Sequence, residues 1–75
     1  QKASQKEIRK LSRRIEQIEN ELETVEERLG KISIAMLETN DVVELSDLQK
    51  ELDDLSVNHE ALMEEWSDLS EQLES

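Results

Sequence analysis

The sequence of 75 residues predicts an all-α fold, a two-helix antiparallel coiled-coil hairpin. Three observations predict it. Apolar residues recur at alternating steps of three and four, the narrow two-in-seven stripe of a coiled-coil seam rather than the wider face of a globular helix. The composition has no proline, one glycine and one aromatic residue, Trp66, which suits long helices and starves a sheet of the residues it needs. A single cluster of turn formers then divides the stripe into two matching halves.

The first helix is predicted over about residues 6–37 because Ile8, Leu11, Ile15, Ile18, Leu22, Val25, Leu29, Ile32 and Met36 all fall on heptad positions a and d when Ile8 is written as a. Residues before 6 carry no apolar anchor and are expected to fray. Gly30 falls inside this stretch on the outer face. It could end the helix, as glycine often does, but Ile32 and Met36 keep the stripe in phase beyond it, which favours continuity.

A loop over about residues 38–41 follows, Glu38-Thr39-Asn40-Asp41. Asp41 with Glu44 three positions on fits the helix-start signature in which the cap accepts an amide and the third residue bonds back. The second helix, over about 42–73, repeats the stripe as Leu45, Leu48, Leu52, Leu55, His59, Leu62, Trp66, Leu69 and Leu73. A short loop makes the helices antiparallel neighbours, each arm roughly 45–50 Å long at ~1.5 Å per residue. In such a pair a faces d, so facing residue numbers share one sum. A sum of 84 pairs Met36 with Leu48, Val25 with His59 and Ile18 with Trp66; a sum of 77, with a longer loop, is the alternative.

Charge is distributed unevenly. Residues 1–14 hold six basic residues against one acid, a net of +5, while residues 15–75 hold three against nineteen, a net of −16. A nucleic-acid platform spanning the whole domain is therefore not expected, since phosphate binding rests on Lys and Arg density. A local basic end remains. Lys2, Lys6, Arg9 and Arg13 form a stripe on the outer face, with Lys10 and Arg14 beside it. Positive charge near a helix N-terminus opposes the macrodipole, so helix stability does not explain it. It serves either as a partner for Glu71 and Glu74 on the facing arm, or as a contact for DNA or RNA phosphates or an acidic protein surface. All six are candidate nucleic-acid contacts.

Catalytic chemistry is not visible. Two packed helices form no cleft, Glu16, Glu19, Glu23 and Glu26 lie off the seam as a solvated face, and one glycine supplies no phosphate loop. Neither a catalytic, a cofactor nor a metal site is assigned. His59, on which no inward carboxylate is expected to converge, reads as a polar seam residue that helps fix register, with a pH-sensing role as the alternative. Ile34, Ala35, Leu37, Val42 and Val43 are apolar but off the seam. They either pack on one another to close the hairpin end or, as the candidate tip contact Ile34, Leu37, Val42 and Val43, form an exposed patch. Trp66 reads as core whose bulk could splay the helices beside Ile18. The longest apolar run, residues 34–37, is four residues, far below the ~20 that span a bilayer, and the absence of cysteine excludes disulfides. The chain starts with Gln1 rather than Met, so it is expected to be a piece of a larger protein.

Lys6-Glu7-Ile8-Arg9-Lys10-Leu11, two heptad arms broken before Asp41, and Glu65-Trp66-Ser67-Asp68-Leu69 near the end together resemble the C-terminal coiled-coil domain of ABC-F ATPases. The resemblance covers almost the whole chain. It implies a cytoplasmic parent ATPase with two ATP-binding cassettes upstream and no membrane spans, binding ATP and magnesium outside this stretch. It also implies that the arm touches a cassette, and that the parent works on the ribosome or, in some members, on DNA. The acidity beyond residue 14 departs from the better nucleic-acid binders of that family and favours a local contact, with DNA, rRNA or tRNA, or a protein contact. Two other readings stand beside it: a purely structural or protein-binding coiled coil, and a helical arm appended to an aminoacyl-tRNA synthetase. A closed hairpin of this kind is expected to be monomeric.

Overall fold

A computed structural model describes residues 4–74. Two helices, α1 (Gln5–Glu38) and α2 (Val42–Glu74), are joined by residues 39–41 and pack along each other as an antiparallel hairpin of 56 × 15 × 13 Å. The helix boundaries lie within a residue of those read from the heptads. α1 does not fray as far as expected, because Ser4 caps it: its Oγ accepts the Glu7 amide at 3.2 Å. The signature was present in the sequence as Ser4 followed three residues later by Glu7.

α1 runs unbroken through Gly30, which has no positive φ and no atom within 4 Å of where a Cβ would stand. The glycine therefore loses helix propensity with no compensating close approach. Gly30→Ala is expected to stabilise the hairpin by about 1 kcal/mol, raising a circular-dichroism melting temperature by roughly 4–8 °C. An unchanged or lowered Tm would show that Gly30 has a role other than filling an exposed turn.

The 39–41 connection departs from the expected cap. Asp41 Oδ1 accepts the Val43 amide at 2.9 Å, as a helix cap does, but Glu44 does not bond back to the Asp41 amide. Thr39 takes that place: its Oγ1 accepts the Asp41 amide at 3.2 Å and donates to Glu44 Oε2 at 3.0 Å, while its own amide donates to the Ala35 carbonyl at 3.1 Å. A single hydroxyl thus ties the end of α1 to the first turn of α2.

The core is thin and lopsided. Ile18, Leu22, Val25 and Ile32 of α1 are buried, against Leu62 alone in α2. Leu29, Leu55, Trp66 and Leu69 pack, half-buried, against the cluster of Ile18, Leu22, Val25 and Leu62. Towards the open end the seam loosens, and Ile8 and Leu73 are 40% and 38% exposed. Ile18, the residue facing Trp66, has no exposed surface at all.

Polar bonds on both edges of the seam settle the register in favour of the sum of 84. The His59 ring Nε2 lies 3.0 Å from Glu26 Oε2, and Trp66 Nε1 donates to Glu19 Oε2 at 3.4 Å. With a sum of 77, His59 would face Ile18, two helical turns away from Glu26. The bonds also correct the reading of His59, since a carboxylate does reach it. Glu19 and Glu26 occupy e positions, close enough to the seam to fold back over its two non-aliphatic members. On the opposite edge Arg14 pairs with Glu65 and Arg28 with Glu51, at 2.9 and 2.7 Å. All four are g residues, and each pair is displaced from the other by two heptads in both helices.

Candidate functional site

The basic end sits on the first turns of α1, where the helix has just been started by Ser4 and where the facing arm ends. Lys6, Arg9, Lys10 and Arg13 are all exposed, and among the described residues none of them forms an ion pair with an acid. Neutralisation by Glu71 and Glu74 is therefore not what the structure shows. The helical spacing of three and four residues places Lys6, Arg9 and Arg13 along one outward line with Lys10 beside it. Together with Gln5 they border a shallow open hollow. Lys2, the remaining member of the stripe, lies outside the described residues.

Arg14 behaves differently from its neighbours. Its Nε and Nη2 donate to the two carboxylate oxygens of Glu65 at 2.9 and 3.0 Å, and Nη1 reaches Gln17 Oε1 at 3.4 Å. This is the fork-on-fork geometry that guanidinium and carboxylate make together. The bond holds the Glu65 carboxyl below the usual carboxylate range and pushes the Arg14 guanidinium up. Of the candidate contacts, Arg14 is thus a strut between the helices, leaving Lys6, Arg9, Lys10 and Arg13 as four outward cations at the described end.

The depressed Glu65 carboxyl has a consequence with a fixed sign. A carboxylate that is more acidic folded than unfolded stabilises the fold above its unfolded pKa, and that contribution disappears as pH falls through the folded value. Glu65→Gln is therefore expected to melt below the parent at neutral pH, with the gap closing in acid once the parent carboxylate protonates. The pair is solvent-exposed, so the gap is small. A gap independent of pH would show that Glu65 acts through packing rather than charge.

No pocket with chemistry accompanies these cations. Among the described residues no three His, Asp or Glu side chains converge to hold a metal ion, and no helix is long and apolar enough to cross a membrane. The tip residues Ile34, Leu37, Val42 and Val43, one of the two candidate contact sets, do not pack on one another to close the end: they are 57%, 87%, 78% and 69% exposed. Ala35 is half-buried. The heptad positions of these four lie outside the seam, and the turn beside them is held by the exposed Thr39, Asp41 and Glu44 bonds.

Compared with known protein families, residues 2–71 match the family model described as the ABC transporter C-terminal domain. No curated protein and no solved structure matches the chain.

Proposed function

From the premise that this chain belongs to the ABC transporter C-terminal domain family, we propose that it is the accessory arm of an ABC-F-type ATPase that meets nucleic acid, free or in the ribosome, through the basic end of α1. The observation that carries the reading is the exposure of Lys6, Arg9, Lys10 and Arg13 without acidic partners, on a chain otherwise rich in acid. Four cations without an ion-pair partner among the described residues, three on one outward line with Lys10 beside it, at a helix end whose dipole disfavours them, are what a polyanion would stabilise. ATP and magnesium have no fit among the described residues, where neither an ion-holding cluster nor a glycine-rich loop exists. The reading leaves both to cassettes of the parent, against which the open end of the arm would rest.

Acidity confines the contact. Beyond Arg14 the surface would repel phosphates, so the arm touches a strand end-on, through about four phosphates at most, rather than lying along a groove. Titrating the chain with duplex DNA, duplex RNA and single strands over a range of salt tests this. Binding is expected to weaken with salt and to be lost in a variant carrying glutamate at 6, 9, 10 and 13. A variant that binds as tightly as the parent would falsify the reading and favour a purely structural or protein-binding arm.

A further inference from the structure

We propose that a hollow on one flank of the hairpin receives an arginine side chain of a protein partner, with an apolar neighbour of that arginine resting on Met63. Glu19, Leu22, Glu23 and Glu26 of α1 and Met63 and Trp66 of α2 line this hollow together. Two turns of α1 set its length at roughly 10 Å, room for one long side chain. Its floor is apolar and fixed: Leu22 belongs to the buried core cluster, and half-buried Trp66 packs against that cluster. Little ordering is therefore lost when a partner covers it. Met63 is 44% exposed at an e position, whereas Gln49, Ser56 and Ser70, the e residues on either side of it in α2, are polar. A thioether adapts its shape to what covers it.

The rim is anionic, and its carboxylates lack cations. Glu19 Oε2 accepts from Trp66 Nε1, and Glu26 Oε2 lies against His59 Nε2, so both acids lean over the hollow with one oxygen each engaged. Glu23 is exposed and forms no ion pair among the described residues. The opposite flank is different, since there Glu65 and Glu51 are paired with Arg14 and Arg28. On the hollow's flank the b and e positions of both helices hold no lysine or arginine after Arg9. The two flanks thus differ in how their acids are met, not merely in acidity.

An indole, a thioether and carboxylates in one place select arginine. Its guanidinium forks onto carboxylates and stacks on aromatic rings, and its stem lies along apolar surface. Phosphates and anionic lipid headgroups are repelled by the same rim. A standard interface covers about 800 Å² on each partner, far more than one side chain supplies. The contact is thus a weak one that serves an arm already tethered elsewhere.

Trp66 is the chain's one aromatic residue, so its indole N–H resonance and its fluorescence report on the hollow directly. Titration with a short Leu/Arg peptide helix is expected to move both signals, together with the amides of residues 19–26 and 63–66. A Gln/Arg peptide of equal charge should bind about tenfold more weakly. Glu23→Lys should weaken the Leu/Arg peptide by about tenfold, and Met63→Ser by about fivefold. Asp54→Lys makes the same charge change on an exposed acid three residues on from Glu51, along the opposite flank, and should weaken binding by less than about twofold. Circular-dichroism melts should stay near the parent's for Glu23→Lys and Asp54→Lys. Equal binding of the Gln/Arg peptide, equal losses in Glu23→Lys and Asp54→Lys, indifference to Met63→Ser, or an unmoved indole signal would each overturn the proposal. So would sedimentation showing a dimer of the chain that Glu23→Lys dissociates. The hollow shares no residue with Lys6, Arg9, Lys10 and Arg13, so the outcome is independent of nucleic-acid binding.

Discussion

Ile18→Ala is expected to cost about 2–5 kcal/mol and to lower the melting temperature of the hairpin by roughly 15 °C or more. The size follows from burial. Ile18 has no exposed surface and is packed with Leu22, Val25 and Leu62, with Trp66 and Leu69 against the cluster. Two helices have no third layer to collapse into the space, so the cavity opens to water or stays empty. Stability of order 0.05–0.15 kcal/mol per residue leaves a small chain little reserve, and the alanine variant consumes much of it. Leu73→Ala, at a site already 38% exposed, is expected to cost under about 1 kcal/mol. Circular-dichroism melts of the two variants check the contrast, and similar losses at both positions would refute the picture of a core concentrated in the middle of the arm.

Replacing Lys6, Arg9, Lys10 and Arg13 by glutamate is expected to remove nucleic-acid binding without unfolding the arm. The change takes residues 1–14 from a net of +5 to −3, with two bases left against five acids. Each neutralised phosphate of a DNA duplex contributes about −0.9 to the slope of log affinity against log salt. Four contacts give a parent slope of about −3.6, so raising salt fourfold weakens binding by roughly a hundredfold. The reversed variant should show no measurable binding even at low salt. Its helix should not suffer, because acids near a helix N-terminus suit the macrodipole. A melt at or above that of the parent, together with lost binding, separates the site from the fold. A parent slope near zero would instead mean that the cations do not meet phosphates.

The fold was legible because it rests on one strong period. Ile8 to Met36 and Leu45 to Leu73 sit on a and d throughout, and nothing local contradicts them: no proline breaks a helix, and the one glycine faces outward. The preferred register was legible too, although what secures it was not. Arg14 and Arg28, and Glu51 and Glu65, each stand two heptads apart in sequence, a spacing that could have flagged the paired edges. The role of Glu19 and Glu26 was harder to see, since an e-position acid can equally well point into water. Only the choice of an indole and an imidazole at Trp66 and His59 gives each of them something to bond. Ser4–Glu7 was a plain capping signature overshadowed by the lack of an apolar anchor. At the basic end the spacing puts Lys6, Arg9 and Arg13 on one line, but which cations are free depends on whether Glu65, Glu71 or Glu74 reaches across, a matter of angstroms that composition does not carry. The tip shows the same limit. Five apolar residues near a loop can close it or face outward, and four of them, Ile34, Leu37, Val42 and Val43, are exposed.

Both described ends, Gln5 and Glu74, lie at the same end of the rod, with the turn at the other. That layout fixes how the arm can carry force. Tension applied between the two ends would peel the helices apart one layer at a time, starting where Ile8 and Leu73 are already half wet, so no more than a few side chains resist at any moment. Thrust along the long axis meets two continuous helices side by side, braced by Arg14–Glu65 and Arg28–Glu51. Mechanically the hairpin is a push-rod: stiff when a base drives its tip against something, and yielding when its strands are drawn apart.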